Sequence, residues 1–218
     1  MKGLTKPVLK ISLSFIFFLL VTLLVLAGFF KYLDLSLGHL LIRLDNSSFG
    51  GILHFFRVFG HDEASLYFLC GIAISAFILK FRKYFLCIIA VFFIMIMTNQ
   101  NLKSIIHRQR PSVEFYDSSY EKDIANLKHN SYPSGHVLRS SFLFLSLGAL
   151  IAKLKIRKNL KAALTALIYF VVFMVGFSSV CIGAHWASDV IGAFLLSYFF
   201  YQILALSSFY TPLAKVNP

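Results

Sequence analysis

Long apolar runs alternate along this chain with short polar stretches. Six runs are candidate membrane spans: Ile11–Phe30, Ala64–Leu79, Tyr84–Thr98, Val137–Ala152, Ala162–Ile182 and Val190–Leu206. A helix needs about 17–25 residues to cross the hydrocarbon, so the shorter runs must borrow flanking residues or sit where the bilayer thins. A further patch, Ile52–Phe59, is too short to span and is expected at the interface or as a re-entrant piece. The first run follows Lys2, Lys6 and Lys10, a flank that also fits a signal peptide. Signal cores are usually about 7–15 residues, however, and this run is longer, so an uncleaved helix is expected. The pattern therefore predicts an all-α, six-transmembrane-helix bundle in which residues 1–218 form a single integral membrane domain.

Composition agrees with this. Of 218 residues, 58% are hydrophobic and only 14% charged, and Phe alone occurs 25 times. The mean hydropathy is +0.77. The chain has no Gly/Ser linker, low-complexity tract or evident repeat. Charge then sets the orientation. With the N-terminus inside and six crossings, the inner segments hold 12 Lys and Arg and no acid. The outer segments hold 9 Lys and Arg and all 9 acids, so the formal net charge of +12 lies on one side. The positive-inside rule puts both termini in the cytoplasm. The basic balance thus concerns topology and anionic lipid headgroups, with no nucleic-acid partner expected. Cys70, Cys87 and Cys181 fall in or near spans, show no disulfide or zinc spacing, and read as small packing residues.

Three short segments carry candidate chemistry, and the charge-based topology puts all three on the outer face. Lys103 is followed after six residues by Arg110-Pro111. Fixed cations in a water-poor site stabilise the charge on a phosphoryl group in transfer. Seven residues are two helical turns, so both cations share a face if the third span continues that far, with Pro111 as its stop. Pro133-Ser134-Gly135-His136 opens the fourth span. The amides of Ser134 and Gly135 are expected as free donors at a positive helix end, and His136 is placed to protonate a leaving oxygen. His185 and Asp189 are four apart, on one face if the region is helical. A carboxylate on one imidazole nitrogen fixes the tautomer and frees the other to attack. The plain alternatives are a solvated basic loop, an ordinary helix start with an interfacial histidine, and a cap histidine beside an aspartate. His54, His61 and Asp62 lack convincing metal-ligand spacing, Asp62 reading more simply as a helix-start acid, and His39 and His129 read as ordinary outer-loop residues.

The set resembles the type 2 phosphatidic acid phosphatase superfamily of membrane lipid phosphate phosphatases, related to bacterial acid phosphatases and vanadium haloperoxidases. The family pattern is Lys-x6-Arg-Pro, Pro-Ser-Gly-His, then Ser-Arg-x5-His-x3-Asp. The first two are present in full, and the third is present at Ser178, Gly183, His185 and Asp189. Three motifs in order outweigh any one of them. One position departs: the family's third-motif arginine, which helps bind phosphate, is Ser179 here. Losing one transition-state donor costs about 2.7–4 kcal/mol, and Arg108 and Arg139 are candidate substitutes.

The resemblance implies that His185 is the nucleophile and forms a phosphohistidine, that Asp189 orients it, and that His136 is the general acid. It implies that Lys103, Arg110, Ser134 and Gly135 hold the phosphate, with no metal and no cofactor. The implied reaction is removal of a terminal phosphate from a lipid phosphate or pyrophosphate at the outer, periplasmic face of a bacterial inner membrane. Substrates of the undecaprenyl pyrophosphate, phosphatidylglycerophosphate or lipid A type come from the resemblance alone. Two other readings stay open: phosphate transfer to another acceptor lipid, and a catalytically weakened lipid-phosphate binder or transporter, which Ser179 favours. The acidic stretch Glu114–Asp123 reads as loop solvation.

Overall fold

A computed structural model describes residues 5–45, 47–111 and 130–210. Glu114–Asp123 and His129 lie outside the described residues, as do Lys2 and Lys215. The described residues are helical throughout, without strands. They form α1 (Thr5–Leu26), α2 (Lys31–Leu41) with a 3₁₀ turn at Ile42–Leu44, α3 (Gly50–Val58), α4 (Asp62–Ile78), α5 (Arg82–Ile106), α6 (Gly135–Lys153), α7 (Lys158–Cys181) and α8 (Ala187–Ala205). A π-turn at Leu206–Tyr210 follows. Five helices are long and apolar enough to cross a membrane: α1, α5, α6, α7 and α8. α4, the fourth-longest apolar run of the sequence reading, has 17 residues. That is the lower limit for a span.

Two boundaries differ from the sequence reading. The run expected at Ile11–Phe30 breaks after Leu26, because Gly28 takes a positive φ of 73° and redirects the chain into α2. The short Ile52–Phe59 patch is the helix α3, which packs against α7.

α8 is the central post, packing on α1, α5 and α6. Its buried positions Asp189, Gly192, Ala193, Leu196, Phe200 and Leu204 recur at helical spacing along one face. Small residues on that face let neighbours approach, since van der Waals packing drives helix association in lipid. At Gly192 no side chain fits: a Cβ would lie 2.4 Å from the Tyr132 hydroxyl. Tyr132 is wholly buried, and its hydroxyl shares a 2.8 Å hydrogen bond with Thr22 of α1. The chain entering α6 is thereby pinned between α1 and α8. The outward faces carry large apolar side chains such as Phe17, Ile78, Leu167 and Phe173, each more than half exposed. A girdle of that size on a lone chain marks a surface meant for lipid.

Candidate active site

The C-terminal ends of α1, α5 and α7 and the N-terminal ends of α4, α6 and α8 meet at one end of the bundle, where α2 and α3 cover them. All three sequence motifs converge there.

Lys103 lies in the last turn of α5, but the helix does not carry on to Arg110. It stops at Ile106, and His107 takes a left-handed conformation with φ 47°. The break comes before Pro111, and the two cations reach the site from a helix and a loop respectively. The Lys103 ammonium donates to the Asn130 carbonyl (3.1 Å), and an Arg110 Nη donates to the Ala184 carbonyl (3.1 Å).

Ser134 is the N-cap of α6, its Oγ accepting from the Val137 amide at 3.5 Å. Its own amide is not the free donor expected, because it donates to the Asp189 carbonyl at 3.3 Å. The first-turn amides of Gly135 and His136 have no intrahelical acceptor by helix geometry, and they supply the positive end. Asn99 of α5, almost wholly buried, reaches this end: its Nδ2 would lie 3.4 Å from a Cβ on Gly135. The His136 ring sits edge-on to His61, with centroids 5.1 Å apart.

His185 and Asp189 do not share a helical face. α8 starts at Ala187, so His185 precedes the helix, and Asp189 caps it by accepting from the Trp186 amide at 2.9 Å. The pair still meets. His185 Nδ1 stands 3.6 Å from Asp189 Oδ2 and 3.4 Å from Ser131 Oγ, and Ser131 Oγ donates to Asp189 Oδ2 at 2.5 Å. Ser131 thus stands beside both members of the pair. A carboxylate on that side of the ring favours the tautomer with the proton on Nδ1, which leaves Nε2 its lone pair. His185 is barely exposed. Burial, then the charges of Arg110, Lys103 and Arg57, push its imidazole well below the ordinary value of 6.5, with a hydrogen bond to the Ser131 backbone working the other way. Burial among cations thus disfavours the charged form of this imidazole. His61 is also pushed down, by burial and by Arg57 and Arg139, against Asp62 and Glu63. His136 lies within electrostatic reach of His185, Arg57 and Arg139.

Several site residues were not singled out from sequence. Asp34 of α2 is buried and accepts from Arg108 Nη2 (2.7 Å), the Ser188 amide (3.0 Å) and the Ser188 hydroxyl (2.6 Å). Arg108 turns its other prong to Asp189 Oδ1 at 2.5 Å and to Ser188 Oγ at 2.7 Å. Arg108 is therefore held between two carboxylates and does not point at a phosphate. Arg139, the other candidate substitute, donates to the Gly60 carbonyl through Nε and Nη2 (3.2 and 2.8 Å) and pairs with Asp62. Asp62 opens α4 as expected of a helix-start acid. The one signal that could have flagged Asp34 is its place as a lone acid inside the apolar stretch 32–42.

A cavity of about 460 Å³ adjoins the site. Val25, Phe30, Leu35 and Trp186 form its apolar wall, and Lys31, Asp34, Arg108, Gln109 and Arg110 its polar one. Arg110 is its link to the motifs. Neither histidine lines it, so it lies beside the reacting centre. Among the described residues no group of three or more His, Cys, Asp or Glu is arranged to hold a metal ion.

The PAP2 superfamily model matches residues 64–212. No curated protein sequence matches the chain. A crystal structure described as the first transmembrane PAP2-type phosphatidylglycerolphosphate phosphatase, from Bacillus subtilis, superposes with a TM-score of 0.73. Its identity is 21% over 89% of this chain and 94% of that one. Aquifex aeolicus LpxE superposes with a TM-score of 0.60 at 19% identity, over 79% of this chain and 94% of that one. At such identities the superpositions speak for the fold, while the family model covers well over half of the sequence, a stretch within which all three motifs fall. This chain belongs to the PAP2 superfamily.

Proposed function

We propose that the protein is an integral membrane phosphatase that removes a terminal phosphate from a lipid phosphate or lipid pyrophosphate through a phosphohistidine. The observation that carries this is the meeting, at one end of an apolar bundle, of a buried His185 backed by Asp189, a second histidine, two cations and a helix N-terminus. In the first step His185 Nε2 attacks phosphorus, the bond from phosphorus to the lipid oxygen breaks, and protonated His136 gives that oxygen its proton. Lys103, Arg110, the Ser134 hydroxyl and the Gly135 amide hold the equatorial oxygens. In the second step His136, now neutral, takes a proton from water as the water oxygen attacks. The phosphorus–nitrogen bond breaks, releasing phosphate and restoring His185.

The cavity beside Arg110 suits the part of the lipid next to the phosphate, apolar on one wall and polar on the other. The charge distribution favours six crossings, with α4 as the sixth, both termini in the cytoplasm and the site at the outer face of a bacterial inner membrane. Undecaprenyl pyrophosphate, phosphatidylglycerophosphate and lipid A types remain the substrate classes to assay. Ser179 favours one second reading, a weakened lipid-phosphate binder.

The deciding experiment is phosphate release from a long-chain lipid phosphate by the purified protein in detergent. Release is expected to persist in EDTA and to be blocked by vanadate, which mimics five-coordinate phosphorus. Binding without turnover across all three substrate classes would leave the binder; release that requires an acceptor lipid would leave a transferase.

The pH profile makes a separate prediction. Protonation of His185 removes the nucleophile, and its protonation is displaced to lower pH. Activity is therefore retained at 6.5 and lost only as pH falls through the depressed value, so the acidic limb of kcat/KM is expected below 6.5. A limb above 6.5 would show that His185 is charged where it must be neutral.

A further inference from the structure

We propose that Arg57 of α3 supplies a guanidinium to the reacting phosphoryl group, filling the place left by Ser179; this rests on the phosphatase reading above. Position 179 lies beside the nucleophile, since the Ser179 carbonyl accepts from the His185 amide at 3.1 Å. Ser179 itself offers no charge. It is fully buried, and its hydroxyl donates back to the Val175 carbonyl at 2.8 Å. Arg108 bridges Asp34 and Asp189, and Arg139 is bonded to Gly60 and Asp62.

α3 brings a third arginine to the same spot. Leu53 forms a buried cluster with Cys181 and Ile182, which clamps α3 against the end of α7, just past Ser179. Arg57 is one turn beyond Leu53, on the same face. Its carbonyl accepts from the Gly60 amide at 2.9 Å. Gly60 in turn abuts His136 so closely that a Cβ there would lie 2.6 Å from the His136 Cβ. The Arg57 stretch of α3 therefore joins the end of α7 to the start of α6, and its charge acts on both His136 and His185. A planar fork of donors suits two oxygens of a phosphoryl group. Spatially this restores the arginine that the third motif lacks, from a helix more than 120 residues away in sequence.

The test uses the full chain in detergent, with Arg57→Gln and Arg57→Lys, a long-chain lipid phosphate, and vanadate. A donor to the transition state is expected to be worth about 10²–10³ in kcat/KM, with the vanadate Ki rising by a comparable factor in Arg57→Gln and less in Arg57→Lys. A merely structural arginine would lower the active fraction and leave Ki where it was. A Ki within about threefold of the parent overturns the proposal, whatever happens to kcat. If Arg57→Gln does not elute as a single species, Arg57→Lys decides by the same criterion. If the parent releases no phosphate but binds vanadate calorimetrically, the phosphatase reading falls, and Arg57 is judged on the vanadate Kd of the two variants. A parent that binds no vanadate sinks both.

Discussion

His185→Ala is expected to abolish phosphate release, with a loss of at least about 10⁴-fold, as when a covalent nucleophile is removed elsewhere. The side chain is irreplaceable for a geometric reason. Its Nδ1 stands beside Asp189 and Ser131 at 3.6 and 3.4 Å, which sets the ring and leaves Nε2 as the nitrogen available to attack. Water entering the space left by the ring would have neither that orientation nor the same nucleophilicity. The same substitution should also end labelling. The parent, quenched during turnover of a lipid carrying labelled phosphate, should hold label in an acid-labile, alkali-stable bond, and the alanine variant none. Wild-type turnover in His185→Ala would sink the mechanism, and label retained by the variant would move the nucleophile elsewhere.

Arg108→Ala should cause the largest loss of stability. Arg108 bridges Asp34 and Asp189, whose side chains are 2% and 0% exposed, at 2.7 and 2.5 Å. Deleting the guanidinium strands two buried carboxylates near each other, and breaking a buried pair in this way costs about 3–5 kcal/mol. Asp189 then loses the contact that holds it beside His185, so turnover should fall together with the melting temperature in detergent. Arg108→Gln combined with Asp34→Asn removes one carboxylate charge along with the cation and should recover part of the melting temperature, because the two sites are directly coupled. A parental melting temperature in Arg108→Ala would mean the bridge contributes nothing.

The contrast between these two residues shows what the sequence could tell. His185, His136, Lys103 and Arg110 lie in short motifs whose spacing is local, so their chemistry can be read from a few letters. The membrane helices are likewise legible, because twenty apolar residues in a row have few other uses. Asp34, Arg57, Ser131 and the Gly60–Asp62 corner gain meaning only when α2, α3 and the start of α4 close over the other helices. No local period announces a meeting between residues 34 and 108 or between 60 and 136. α2 follows the first apolar run and is not read as an element at all; the run itself ends early, at Leu26, where Gly28 takes a positive φ. Arg108 and Arg139, candidate substitutes by their nearness to motifs, are paired with Asp34, Asp189 and Asp62: proximity in sequence does not say which partner a guanidinium will find.

The backbone contacts between motifs have a consequence of their own. The Ser134 amide is bonded to the Asp189 carbonyl, the His185 amide to the Ser179 carbonyl and the Ser131 amide to the Arg108 carbonyl. These three backbone bonds therefore tie the motifs directly to one another, with no side chain in between. A membrane that grows thicker, thinner or more curved is expected to lean the lipid-facing helices, and so to alter how a lipid slides in, before it pulls these bonded segments apart.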